Sequence, residues 1–139
     1  MARYKIIDEP NLKSWGEQII VNPIMILFAA FFVPLFWDPP LLGRFWIPAG
    51  WLIVNGVALG SASLKQEIKA IVLGALAIVG MFALFGMLSG NGVLPWSLED
   101  AAPYLRLVLF GIFFLTLYGV VFRQCKSYEL FAYIHRGEQ

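Results

Sequence analysis

From Ala70 to Leu88 the chain reads AIVLGALAIVGMFALFGML, with no charged, amide or hydroxyl side chain in the run. The hydrocarbon core of a bilayer is about 30 Å thick and takes roughly 20 apolar helical residues to cross. Three more stretches approach that length, at about 19–37, 45–64 and 104–122, the last with Arg106 near its outer edge. The connections between them are short. Composition agrees: 60% of residues are apolar and 14% charged, with a mean hydropathy of +0.75, whereas a soluble domain is about a quarter charged. The expected fold is an all-α integral membrane protein with four transmembrane helices, a single polytopic domain over 1–139 with tails 1–18 and 123–139.

Lysine and arginine near span ends are retained on the cytoplasmic side of a membrane. One set of ends carries Arg3, Lys5, Lys13, Lys65, Lys69, Arg123, Lys126 and Arg136, and the opposite set only Arg44 and Arg106. Both termini are therefore expected inside. The N-terminal MARYKIIDEPNLKSWGEQ mixes both signs of charge and does not read as a cleaved signal, so the first span would act as an uncleaved anchor. No N-glycosylation sequon occurs, which favours a bacterial inner membrane.

Aromatic residues favour the headgroup zone, and Trp37, Trp46 and Trp96 all fall on the outer side of this topology. Asp38, Pro39 and Pro40 would end the first helix, because proline lacks an amide donor and restricts the residue before it. Ser97 followed by Asp100 resembles a capping box, and Pro103 is expected at the first position of the fourth span. On the inner side, Asp8-Glu9-Pro10 is a fair helix start, and Leu12, Trp15 and Ile19 share one face, which predicts a short helix in the headgroup layer. FRQCKSYELFAYIHRGEQ has no helix breaker before Gly137, so the fourth helix is expected to run on to about Ile134 in the cytoplasm. Measured from Tyr104 it would be about 46 Å long. Trp15, Tyr128, Phe131 and His135 are the candidate docking residues of the two tails.

No ionisable residue lies in the centre of any expected span. Such groups usually mark proton relays, ion paths or substrate counter-charges, so the pattern argues against a proton-coupled exporter or a pump. Cys125, Glu129 and His135 follow one another at intervals of four and six, but metal sites need three or four ligands in matched geometry. They read as an interfacial cysteine with solvated neighbours. Glu99 and Asp100 read as first-turn charges at a helix N-terminus. The single cysteine excludes an internal disulfide. No catalytic residue, cofactor or metal is expected.

The stretch WLIVNGVALG raises the remaining question, because Asn55 falls almost midway along the second expected span. Lipid offers an amide no partner, so the side chain must face protein or a water-filled cavity. Gly56 and Gly60 form a G-x-x-x-G step, which lets a second helix approach closely. Asn55, Gly56 and Gly60 are expected to form a helix-packing face or, failing that, to line a pore. Gly74, Gly80, Gly111 and Gly119 with Ala70 and Ala77 add more small-residue faces than a four-helix monomer requires, a hint of assembly.

The functional expectation is a non-catalytic subunit or scaffold of a larger membrane assembly of the transport, secretion or conjugation type. The alternative is a homo-oligomeric pore or channel with Asn55 lining the path. A third reading is a small membrane-embedded enzyme acting on lipid, which would have to use Tyr118, Asn55 or the Cys125 and His135 region. The expected partners are the lipid bilayer and other membrane subunits or further copies of the chain, with no nucleic acid.

Overall fold

A computed structural model describes residues 19–32, 42–93 and 98–136. The expected N-terminal helix with Trp15, the outer hairpin up to residue 41, Trp96 and Ser97 lie outside the described residues. Four helices follow one another: α1 (Pro23–Phe32), α2 (Leu42–Ala58), α3 (Leu64–Gly90) and α4 (Leu98–Arg136). No strand occurs among the described residues. Two of the helices, over Leu64–Gly90 and Glu99–Ile134, are long and apolar enough to cross a membrane.

Local chemistry fixes the start of α1 and the ends of α2 and α3. Asn22 caps α1: its side-chain oxygen accepts the Ile24 amide at 3.0 Å and its carbonyl accepts the Met25 amide at 2.9 Å. Pro23 takes the first helical position, where a missing N–H leaves nothing unbonded. The first helix thus begins at Pro23 and not at Ile19.

The second helix departs further from the sequence reading, which carried it to Leu64. It ends at Ala58. Gly60 has φ +60, its amide bonds the Val57 carbonyl at 3.2 Å, and the Ser61 amide reaches back to the Gly56 carbonyl at 3.0 Å. This is the Schellman stop, in which a left-handed glycine just past the helix lets two terminal carbonyls be satisfied. Gly60 is therefore a helix terminator in the turn and not the second glycine of a packing groove. The same device ends α3, where Gly92 has φ +66 and the amides of Gly92 and Val93 bond Ser89 and Leu88 at 3.2 and 3.1 Å. Pro103 also differs from expectation, since α4 begins at Leu98 and carries this proline inside its second turn.

Each helix buries a stripe at three- and four-residue spacing. Ile26 and Ala30 of α1, Ala49 and Leu52 of α2, Ile71 of α3, and Phe113, Leu117, Val120 and Val121 of α4 form one core. The α4 helix is the shared neighbour, for α1, α2 and α3 all pack on it. Phe31 stacks on Phe114 with ring centroids 4.3 Å apart. On α3, a Cβ at Gly74 would fall on the Thr116 side chain, so this glycine lets α3 and α4 close. Gly80, Gly111 and Gly119 have open space at the Cβ position and perform no such service within the chain.

Among the described residues α3 is covered on one side only. The most apolar window of α3 is just 11% buried, and Leu73, Leu76, Val79, Phe82 and Met87 are all exposed. A monomer in water rarely exposes contiguous apolar patches beyond a few hundred Å².

The Gly60 assignment predicts an asymmetry between glycines. Gly60→Ala should destabilise the folded protein by about 1–2 kcal/mol, the cost of a left-handed residue with a Cβ, whereas Gly111→Ala should be neutral or slightly stabilising. Unfolding in mixed micelles, followed by circular dichroism, reads both. Equal stability of the two variants would contradict the terminator role.

Candidate functional site

The most deeply buried polar groups among the described residues gather where α2 ends and α3 begins. Asn55 is 1% exposed, Glu67 1% and Gln124 0%. Each occupies a core position in its own helix: Asn55 three residues after buried Leu52, Glu67 four before Ile71, Gln124 four after Val120. Folding the three stripes together brings an amide from α2, a carboxylate from α3 and an amide from α4 into contact.

Their hydrogen bonds form a chain with a single direction. The Val21 amide, just ahead of α1, donates to Asn55 Oδ1 at 2.9 Å. Asn55 Nδ2 donates to Gln124 Oε1 at 3.3 Å. Gln124 Nε2 spends both its hydrogens, one on Glu67 Oε2 at 2.8 Å and one on the Leu52 carbonyl at 2.7 Å. Glu67 Oε1 accepts from Ser61 and Ser63, both at 2.6 Å. The orientations of the two amides follow from the ends, since a backbone N–H can only donate and the carboxylate accepts on both oxygens.

The turn between α2 and α3 is built to serve this cluster. Ser63 stands before the first residue of α3 and makes no side-chain cap bond to the backbone, because its hydroxyl goes to Glu67. The two serine oxygens lie 3.0 Å apart, each giving its proton to the same carboxylate oxygen. Ser127 on α4 reaches Ser61 at 3.4 Å, a marginal bond. Gly56 makes room: a Cβ there would stand 2.8 Å from both Gln124 Nε2 and Glu67 Oε2.

The sequence-derived candidates therefore fall in different places. Asn55 and Gly56 meet in one cluster, three and two residues before the end of α2 and not at the middle of a long span. Gly60 is in the turn. Tyr128 and Phe131 lie on the last turns of α4 with ring centroids 6.3 Å apart, and His135 falls in the final turn of the same helix. The site residues that sequence reasoning missed are Glu67, Gln124, Ser61 and Ser63. Glu67 falls between the second and third expected spans, among Lys65, Gln66 and Lys69. A buried carboxylate is thus present after all, at the end of the bundle and not at its centre.

Among the described residues no group of three or more His, Cys, Asp or Glu could hold a metal. Cys125 is a half-buried free thiol packed against the core. Searches of protein families, curated proteins and solved structures give no match to this chain.

The network predicts a ranking of substitutions. Gln124→Leu strands Glu67 Oε2 and the Asn55 amide nitrogen in the interior, at roughly 1–3 kcal/mol for each unsatisfied group before relaxation. Ser127→Ala removes only a marginal bond and should change stability by less than about 0.5 kcal/mol. Denaturant titration of both variants checks the order. A Gln124→Leu protein as stable as the wild type would contradict the network as a load on the fold.

Proposed function

We propose that this chain is a non-catalytic, multi-pass subunit or scaffold of a larger membrane assembly, with four spans, both termini in the cytoplasm, and a bacterial inner membrane as its setting. The observation that carries the membrane part is the exposure of α3: its apolar window is only 11% buried, where the core helix of a soluble protein would be mostly covered. Lipid is the solvent in which such a surface is stable. The basic residues Lys65, Lys69, Arg123 and Lys126 all lie toward the polar-network end, which supports an inward position for that end.

The non-catalytic part rests on how the polar network is spent. Glu67, Gln124 and Asn55 bond one another, the two serines and the backbone, so their hydrogen-bonding capacity is used in holding helices together. A proton-coupled carrier would need its carboxylate reachable by water or substrate, and Glu67 is sealed at 1% exposure. An oligomeric pore lined by Asn55 would need that amide at the protein surface, and it too is 1% exposed. An enzyme acting on lipid through Cys125 would need its thiolate, and burial, with the Glu129 carboxylate nearby, raises the pKa of this thiol above its ordinary value.

The assembly part rests on the end of α4. Antiparallel pairing of α3 and α4, fixed by Glu67 against Gln124, sets the start of α3 level with about Ser127. Residues 128–136 then continue roughly 13 Å further as helix. On this extension Leu130, Ile134 and Tyr133 are exposed, Tyr133 by 80%. An apolar helix face outside the bundle is suited to a groove on another subunit.

Simultaneous Leu130→Ser, Tyr133→Ser and Ile134→Ser substitution should abolish co-purification of stoichiometric partners in mild detergent. Membrane insertion and thermal stability should remain within a few degrees of wild type, because none of the three side chains belongs to the core. A wild-type protein that purifies with no partner, or a variant that keeps every partner, would overturn the docking role.

A further inference from the structure

The outer side of the α3–α4 pair carries a groove that no helix among the described residues fills. Its floor is made of small groups, Ala70, Gly74 and Ala77 from α3 and Gly119 from α4, and its walls include Leu73 and Leu115. The groove is shallow and largely open to its surroundings, unlike an enclosed ligand cavity. The groove exists because Gly74 draws α3 onto Thr116, while the small side chains beside that contact leave the space above it open.

One end of the groove is cationic. Arg123 lines it, is exposed, and enters no ion pair or hydrogen bond among the described residues. Lys126 holds its Nζ 5.9 Å from the centre of the Phe122 ring, and Phe122 is itself part of the groove wall. Lys69, also exposed, precedes Ala70 and lies one helical turn before Leu73, on the same side of α3. Glu129, one turn beyond Lys126 on α4, is the acid that follows on that face. The remaining length of the groove, through Ile112 and Leu115, is apolar.

We propose that this groove binds one anionic phospholipid of the cytoplasmic leaflet, an acyl chain lying along Gly74 and Gly119 and the headgroup phosphate held by Arg123 with Lys126 and Lys69. Basic residues between helices at the cytoplasmic side are suited to anionic headgroups, and arginine offers a planar fork matched to phosphate. The amphipathic occupant fits both halves of the site at once. A second copy of the chain fits less well. Copies in one membrane share an orientation, so pairing through this groove would set two cationic ends at the same depth and repel. The inference rests on the membrane reading above.

The test uses full-length protein extracted in mild detergent, stripped of lipid, and titrated with phosphatidylglycerol or phosphatidylcholine under native mass spectrometry. Wild type should take up one phosphatidylglycerol with a preference of about tenfold or more over phosphatidylcholine. Arg123→Gln should bring the two lipids to near parity. Gly119→Leu should remove binding of both, since the Cβ position at Gly119 is open and the larger side chain fills the groove without displacing the fold. Gly111→Leu, which adds the same bulk at another open position outside the groove, should bind as wild type does. Equal uptake of the two lipids by wild type, uptake unchanged in Gly119→Leu, or a dimer mass lost in Gly119→Leu would overturn the proposal. A protein that stays in solution without detergent would instead overturn the membrane reading itself.

Discussion

One buried carboxylate sets the direction of the hydrogen-bond network that joins the helices where α2 ends and α3 begins. Glu67 accepts on both oxygens, from Ser61 and Ser63 on one and Gln124 on the other. Gln124 must therefore turn its amide nitrogen toward Glu67 and its oxygen toward Asn55, and Asn55 must turn its own oxygen toward the Val21 amide. A donor-only group stands at one end of the chain and an acceptor at the other, with two amides between them in the only orientation that satisfies both. The consequence is architectural. The segment before α1, the end of α2, the start of α3 and the middle of α4 are tied at one level, and van der Waals packing of the apolar stripes does the rest.

Such a network is a demanding way to hold helices together. Buried polar groups contribute little when satisfied and cost heavily when one partner is lost. What it adds over a purely apolar contact is register. Apolar stripes tolerate a slip of a turn, since leucine meets leucine again, but Glu67 finds its donors only when α3 stands opposite Gln124 and the turn presents Ser61 and Ser63. The Schellman stop at Gly60 is part of this arrangement, because it reverses the chain quickly enough to bring Ser61 and Ser63 onto the carboxylate. Gly56 completes it by leaving the volume in which the Gln124 and Glu67 side chains meet.

The helical class and the long apolar helices were legible from charge-free length, and the continuation of α4 past Phe122 from the lack of a helix breaker before Gly137. The end of α2 was not. Leu59 to Leu64 is apolar enough to continue a span by hydropathy, and a Gly-x-x-x-Gly step reads equally as packing groove or as a helix followed by its terminating glycine; only the backbone bonds from Gly60 and Ser61 separate the two. Glu67 was hidden by its neighbours, since Lys65, Gln66 and Lys69 make the segment look solvated. Its spacing to Ile71 and Gly74 was the available signal: those three are the buried residues of α3. Gln124 carried the same signal, falling in step with Leu117 and Val120, and was missed because the span had been ended at Phe122. In both cases hydropathy judged the residue type, and helical phase would have judged the position.

The most direct measurement is amide hydrogen exchange at Val21, with the protein in lipid nanodiscs and read by NMR. This N–H lies outside α1, where no helical carbonyl can protect it, and its partner is the side chain of Asn55, thirty-four residues away. A directional network running from Val21 to Glu67 predicts slow exchange there, comparable to the core amides of α2 and well below that of neighbouring Ile20. Exchange at Val21 as fast as at an unbonded amide, in a protein whose α2 and α4 amides remain protected, would contradict it.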